Sequence, residues 1–420
     1  MKKLVLFFTK HTSGSVYKLF RLIYRAFHRL GLLCQTGLYY LFRLFPIQDK
    51  VVASTFRGRR YGDNSQFIAE KLHELSPDTT IVWITQKGYS YPVPEYMKTV
   101  DYYSTIKKIY TYATARVWVN THRMEQSMRK RKHQLFIETW HGGLGIKKIE
   151  LDCKESPEPW ELKELSNTAG MADLFISNSD HLTGIYRNAF AYRGTVWKCG
   201  YPKNDILIRG SESAKDSVRR FFGIPADAKI VVYAPTFRTN MKREELLSDV
   251  FTMDYDRVRN TLEKNWGGTW YVLVKWHPIM QQFINDSYEN NVINATEYPD
   301  MQELILASDA FISDYSSCIF DAALRGIPCF TYATDFARYR QDRGVYYEMD
   351  ELPFPYAKNN DELEEAIVSF EKEQYAEKWR SFESRTGLHE TGHAAEDIAS
   401  VINAYLKGDL APLRKIQSEA

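Results

Sequence analysis

Ten short apolar runs, separated by stretches of helical pattern, limit what this chain can fold into. The first six are Val51-Val52-Ala53, Ile81-Val82-Trp83-Ile84, Val117-Trp118-Val119, Leu135-Phe136-Ile137, Leu174-Phe175-Ile176 and Val196-Trp197. The remaining four are Ile230-Val231-Val232-Tyr233, Tyr271-Val272-Leu273-Val274, Ala310-Phe311-Ile312 and Cys329-Phe330-Thr331-Tyr332. Strands that are apolar on both faces and alternate with helices belong in parallel sheets covered on both sides. Two such series, parted near Ser211–Asp227, predict an α/β protein with two doubly wound, Rossmann-like domains facing a cleft. The expected division is 1–48 as a basic amphipathic segment, 49–210 as the first domain, 211–380 as the second and 381–420 as a helical tail. The tail pattern, interrupted around Gly387 to Gly392, is long enough to cross back to the first domain.

A chain of 420 residues has room for two such domains, and 44% hydrophobic with 26% charged residues excludes a disordered, collagenous or polytopic membrane chain. The net charge of +2 names no partner, but its distribution does. Residues 1–60 carry twelve Lys/Arg against one acid, Asp49. A basic end on a mildly acidic body predicts an anionic surface as neighbour. The apolar run Leu4 to Phe8 follows Lys2 and Lys3 like the start of a signal peptide, but it stops at Thr9-Lys10-His11. The longest uncharged stretch, Leu30 to Phe42, is thirteen residues, against the ~20 needed to span a bilayer. An interfacial helix remains. Lys18, Arg21, Arg25 and Arg29 form one stripe, Leu19, Phe20, Leu22, Ile23, Phe27, Leu30 and Leu33 fill the rest, and Tyr39 and Tyr40 suit the headgroup level. The rival reading is a surface helix packed on the body of the protein or on a partner chain. Five scattered cysteines without a C-x-x-C pair predict neither a disulfide framework nor a structural zinc site, and fit a reducing, cytoplasmic location.

In open α/β sheets ligands sit beyond the carboxyl ends of the strands. Three polar clusters fall there. Thr139-Trp140-His141-Gly142-Gly143 offers an imidazole for proton transfer near neutral pH, beside glycines that admit a ligand close to the backbone. Lys275-Trp276-His277-Pro278 offers a cation pair for a diphosphate. Ser313-Asp314-Tyr315-Ser316-Ser317 precedes a helix expected to run from near Ser317 to Leu324, with Ser316 or Ser317 as its cap. Two hydroxyls at a helix start suit a phosphate, and equally suit plain capping. Asp314 and Asp321 read as a loop anchor and a helix surface residue. His389-Glu390-Thr391-Gly392-His393 has the H-E-x-x-H form, but Gly387 and Gly392 make it a loop rather than the continuous helix that zinc ligation requires. Asp254-Tyr255-Asp256 reads as the polar start of a surface helix, and Arg129 to His133 as a solvated basic loop with some capacity to attract a polyanion. No nucleic-acid reading module surrounds that loop.

These clusters belong to a longer ordered set. It comprises Arg57-Gly58-Arg59-Arg60-Tyr61-Gly62-Asp63-Asn64, Glu138 to Gly143 with Lys147-Lys148, Gly200-Tyr201-Pro202-Lys203-Asn204-Asp205, Tyr233 to Arg238, Lys275 to Pro278, and Ser313 to Ser317 with Phe320-Asp321 and Arg325 to Pro328. With it the chain resembles the CDP-glycerol glycerophosphotransferases, the polyol-phosphate transferases of teichoic-acid and capsule synthesis, from about Lys50 to the C-terminal helix. The resemblance implies a glycosyltransferase-B-like fold and a peripheral enzyme on the cytoplasmic face of the cell membrane, without metal or other cofactor. Its first domain would take the acceptor and its second the CDP-polyol. It implies transfer of a polyol phosphate, glycerol phosphate foremost, from a CDP-polyol to a lipid-linked or polymer acceptor, with release of CMP. His141 is then similar to the general base, with Gly142 and Gly143 as acceptor loop. His277, Ser316 and Ser317 match the diphosphate-binding set, to which Lys275, Arg238 and Asp314 are added from the neighbouring motifs. Two departures stand out: the His-Gly loop continues Leu144-Gly145-Ile146 instead of Thr-Pro-Leu, and the Ala-Pro-Thr motif ends Phe237-Arg238-Thr239, without the acid expected to position Arg238. The same fold would also serve a nucleotide-sugar glycosyltransferase of the cell envelope, and the basic end alone would suit a membrane-bound scaffold.

Overall fold

The computed structural model describes residues 14–89, 91–154, 157–238, 241, 243–276, 280 and 290–419. The run Leu4 to Phe8, the side chains of Lys18 to Arg21, Thr239, and the His277-Pro278 pair lie outside that description. Each apolar run forms a strand, and every strand pair is parallel. The first sheet has the order β3-β2-β1-β4-β5-β6-β7 and the second β10-β9-β8-β11-β12-β13. The first comprises β1 (Gln48–Ser54), β2 (Thr80–Thr85), β3 (Lys98–Asp101), β4 (Ala115–Asn120), β5 (Leu135–Glu138), β6 (Leu174–Ser177) and β7 (Thr195–Lys198). The second comprises β8 (Lys229–Ala234), β9 (Trp270–Val274), β10 (Val292–Asn294), β11 (Ala310–Ser313), β12 (Cys329–Tyr332) and β13 (Tyr356–Ala357). Three strands had no apolar run to announce them: β3, β10 and β13. All three are edge strands of four residues or fewer with mixed burial, so no continuous apolar run marks them.

Strand order reverses between β1 and β4 in the first sheet and between β8 and β11 in the second. These reversals open a crevice at the carboxyl ends, where α/β sheets bind ligands. The two domains are tied there. Lys147 pairs with Val345 in an isolated antiparallel bridge, flanked by Lys148 N–H to Gly344 O (3.0 Å) and Tyr346 N–H to Ile146 O (2.7 Å). The tail forms the second tie. Its helix Lys372–Thr386 packs Tyr375, Trp379 and Phe382 into the second domain. The chain turns at Gly387, whose φ of 61° is the left-handed conformation glycine tolerates, and helix Ala394–Leu406 then buries Ile398, Ala399 and Ile402 in the first domain.

The N-terminal helix Gly14–Phe42 seats its last turns on the first domain. Tyr39 is 0% exposed among Trp118, Tyr112 and Val52, and Phe42 meets Tyr110 edge-on at 5.4 Å. Tyr39 is therefore core, not a headgroup-level residue; it shares the packed face with Leu38 and Phe42, while Tyr40, one position on, is exposed. The opposite face, with Leu22, Ile23, Phe27, Leu30, Leu33 and Leu41, is exposed. Among the described residues no helix is long and apolar enough to cross a membrane.

Candidate functional site

His141 stands three residues beyond β5 because the chain is bent sharply there. Trp140 adopts φ 52°, and the Glu138 carboxylate accepts its N–H at 3.0 Å. Burial pushes the Glu138 carboxyl well above the usual range, against the pull of that bond. The imidazole of His141 packs against Trp140 (4.2 Å between ring centres) and edge-on to Phe56 (4.9 Å). Its Nδ1 lies 3.1 Å from the Thr121 carbonyl, which can only accept, so Nδ1 carries the proton and Nε2 keeps its lone pair. Burial, joined by the charges of Lys147 and Lys203 and opposed by the Thr121 bond, lowers the imidazole pKa to about 4. Neutral, oriented and half-buried, this ring can accept a proton at Nε2.

Of the two glycines beside it, Gly143 is needed for space, whereas Gly142 has room for a Cβ. A Cβ on Gly143 would lie 2.7 Å from Asn178 Nδ2, and one on Gly142 would lie 3.7 Å from Ser317 Oγ, across the cleft. The loop is held from below by Tyr201, whose hydroxyl donates to Gly142 O at 2.9 Å.

From the other side, Ser316 and Ser317 enter the same cleft at the end of β11. The helix that follows runs Cys318–Ala323, and Ser317 is its cap residue, but its side chain makes no capping hydrogen bond. Among the described residues, Ser316 Oγ accepts only from Cys318 Sγ, at 3.0 Å. Both residues are half-exposed, so their hydroxyls remain available to a ligand.

The other residues of the expected diphosphate set are arranged differently. Arg238, 5% exposed, makes a two-pronged bond with Asp335 (2.9 Å each), bonds Asp314 at 2.9 Å and the Thr236 carbonyl, and stacks on Tyr315 and Tyr339. Asp314 also accepts the Thr236 N–H, so it is the loop anchor expected. Asp314 and Asp335 do for Arg238 what the missing acid at position 239 was expected to do. Lys275 is buried with its ammonium donating to the carbonyls of Thr296 (2.8 Å) and Tyr298, and burial lowers its pKa to about 7. Arg238, Asp314 and Lys275 thus support the strand ends rather than line the opening.

Asp321 is not a helix surface residue. At 4% exposure it pairs with Lys203 (2.6 Å) and accepts from Asn204 (3.2 Å) and Gln302 (3.1 Å). Asn204 in turn donates to Glu390 (2.8 Å), which accepts from Asn178 (2.8 Å) and from Tyr201 N–H (2.8 Å). Burial raises the Glu390 carboxyl to about 7. His389, Glu390 and His393 lie in a loop, with Glu390 spent on this network and both histidines exposed, so the H-E-x-x-H string has no metal-binding geometry. Asp254 caps helix Tyr255–Trp266 by accepting from Arg257 N–H, as its sequence suggested. In the basic loop, Lys130 pairs with Asp173 at 2.9 Å and Arg131 donates to Phe45 O.

Sequence reasoning assigned no role to three residues near His141, although it named Lys147 and Lys203 within the ordered motifs. Lys203 follows β7 and Lys147 follows the His-Gly loop; both act on His141. His122, two residues beyond β4, accepts the Arg57 N–H at Nδ1 (3.4 Å) and also senses His141. Each follows a strand end, the criterion that singled out the other clusters.

A family model described as CDP-glycerol:poly(glycerophosphate) glycerophosphotransferase matches residues 38–404. A teichoic acid poly(glycerol phosphate) polymerase of Bacillus subtilis (strain 168) is 28% identical over 375 residues, covering 85% of this chain and 49% of that protein. A teichoic acid glycerol-phosphate transferase of Staphylococcus aureus (strain NCTC 8325 / PS 47) is 28% identical over 392 residues, covering 88% of this chain and 97% of that one. The chain spans about half the length of the first polymerases it matches. A solved wall teichoic acid polymerase superposes with a TM-score of 0.76 at 26% identity, covering 93% of this chain and 98% of that one. A histidine variant of the same polymerase, soaked with CDPG, gives the same values.

Proposed function

The chain belongs to the CDP-glycerol:poly(glycerophosphate) glycerophosphotransferase family, and from that premise we propose that it transfers glycerol phosphate from CDP-glycerol to a hydroxyl of a polyol-phosphate polymer or lipid-linked acceptor, at an anionic membrane surface. The acceptor oxygen attacks the β-phosphorus. The bond from that phosphorus to the bridging oxygen breaks, CMP leaves with that oxygen, and the acceptor proton passes to Nε2 of His141. The observation that carries this reading is the neutral, backbone-oriented imidazole of His141, whose Nε2 bonds no described residue, in a loop where a Cβ on Gly142 would meet Ser317 Oγ at 3.7 Å.

Phosphoryl transfer asks the protein for positioning and charge more than for covalent chemistry. Ser316 and Ser317 are the hydroxyl donors to the diphosphate, and Lys147 and Lys203 supply positive potential beside it. Arg238, Asp314 and Lys275 act one layer behind, holding the loops that carry the donors. His277 is proposed for the same phosphates on the strength of the family resemblance alone. The exposed apolar face of the N-terminal helix, flanked by Arg25 and Arg29, supports docking to an anionic leaflet.

The test is CMP release from CDP-glycerol and CDP-ribitol with a soluble polyol-phosphate oligomer as acceptor, with the product read by mass spectrometry. No CMP from either CDP-alcohol sinks the reading, and stabilisation by UDP-sugars in preference to CDP-alcohols replaces it with glycosyl transfer.

A further inference from the structure

A groove of about 800 Å³ runs between the N-terminal helix and helix Pro159–Met171, on the outer face of the first domain. That is within the ordinary range of ligand sites, ~300–1,000 Å³. Leu32 and Leu33 form one wall, and Leu162, Gly170 and Met171 the other. Leu33 and Leu162 are left 68% and 39% exposed beside the unfilled groove, whose remaining lining includes Thr36, Gln126, Ser166 and Asn167.

The charge around this groove has one sign. Arg129 and Lys163 line it, and among the described residues no acid does. Arg129 is fixed in the wall by bonds to the Gln126 and Met128 carbonyls and to Asn167 (2.6, 2.6 and 2.8 Å). Lys163 is exposed and forms no ion pair among the described residues. On the N-terminal helix, Arg25 and Arg29 precede Leu32 and Thr36 at steps of four, three and four, so one helical stripe leads from two cations into the groove. The helix carries no acid. Its exposed apolar face is continuous with the groove through Leu33.

We propose that this groove holds one anionic phospholipid of the bilayer, an acyl chain between Leu33 and Leu162 and the phosphate against Lys163 and Arg129. A slot with leucines on both walls, with Thr36, Gln126, Ser166 and Asn167 between them and only cations among its charged residues, is complementary to an anionic amphiphile. A free phosphate would leave the apolar walls wet, and a neutral lipid would leave the cations without a counter-charge. The proposal rests on the membrane part of the function given above and makes it specific: the helix holds a lipid against the domain as well as lying on the leaflet.

Gly170 gives the decisive variant. A Cβ there meets nothing within 4 Å, so the side chain of Gly170→Leu starts in open space at the groove wall. The full chain is exchanged from detergent into mixed micelles with phosphatidylglycerol or phosphatidylcholine and examined by native mass spectrometry. One phosphatidylglycerol per chain is expected to be retained, and no phosphatidylcholine. Gly170→Leu should lose it with an unchanged melting temperature. Lys163→Gln should weaken retention roughly fivefold, the effect of one basic residue near an anionic leaflet; it also serves if the leucine variant fails to fold. Equal retention of the two lipids, or undiminished retention by both variants, overturns the proposal. So does a dimer without lipid, which would make a second copy the occupant of this face. CMP release with the soluble acceptor is read in parallel. Its absence in the wild-type chain would defeat the transfer reaction while leaving the lipid result to stand or fall by itself.

Discussion

His141 illustrates how one residue's environment settles its chemistry. Burial, with the charges of Lys147 and Lys203, makes its imidazole a poor base, its pKa lowered to about 4 in the ligand-free protein. A bound diphosphate brings negative charge to the neighbourhood of Lys147 and Lys203, offsetting the two charges that oppose protonation. The acid limb of kcat is therefore expected at higher pH than that of kcat/KM, since the first reports the complex and the second the free protein. Rates of CMP release across the acid range check this, and coincident limbs would remove His141 as the titrating group. His141→Ala should lower kcat by at least ~10²-fold with donor affinity nearly kept, because a general base contributes ~10²–10⁴-fold to the chemical step. Donor affinity measured by calorimetry separates this from a collapsed site.

At the scale of elements, the N-terminal helix performs two tasks on opposite faces. Tyr39 and Phe42 belong to the core of the first domain, so removing the whole helix would expose Trp118 and Tyr112 along with any membrane surface it detaches from. Point changes separate the tasks. Phe27→Ser with Leu30→Ser should reduce flotation with anionic vesicles and leave the melting temperature in place, because both side chains are exposed. Tyr39→Ala should cost ~3–5 kcal/mol of stability, the usual loss for a buried aromatic. If both variants lower stability alike, the exposed face is packed in solution and the helix is a structural strap.

At the scale of the whole molecule, Lys203, Asn204, Asp321, Gln302 and Glu390 join both domains and the tail in one buried network. Lys203→Met leaves the Asp321 carboxylate buried without its cation, and breaking such a pair typically costs ~3–5 kcal/mol. Adding Asp321→Leu should recover part of that loss, and denaturant midpoints of the three proteins measure it. Glu390 gives the network a pH dependence. Its folded pKa of about 7 lies above the unfolded value of 4.5, so the stability tied to its proton is complete below the unfolded value and lost as pH rises through about 7. Wild type should therefore lose stability relative to Glu390→Gln between those limits. A constant difference would mean that the carboxyl is ionised throughout.

The strands, their parallel pairing and the His-Gly and serine loops were legible in the sequence, because each depends on local pattern: continuous apolar runs, strand-end polar clusters, glycines where backbone must be approached. So was the loop around Gly387 and Gly392, since glycine at those positions denies the H-E-x-x-H string a helix. Edge strands β3, β10 and β13 were not legible, because two to four residues of mixed burial leave no continuous apolar run. Nor were the partners of buried charge. Asp321 sits on a helix whose local pattern does not show that Lys203, 118 residues earlier, will arrive beside it. Arg238 lost an expected local acid and gained Asp335 from 97 residues away. Tyr39 and Tyr40 are adjacent in the chain, yet one is core and one surface, because the body of the first domain decides which side of the helix is inside. Local sequence fixes the elements and the chemistry they can carry. Which charges meet, and which hydroxyls and imidazole nitrogens stay free for a substrate, depends on long-range packing that brings two domains and a returning tail together.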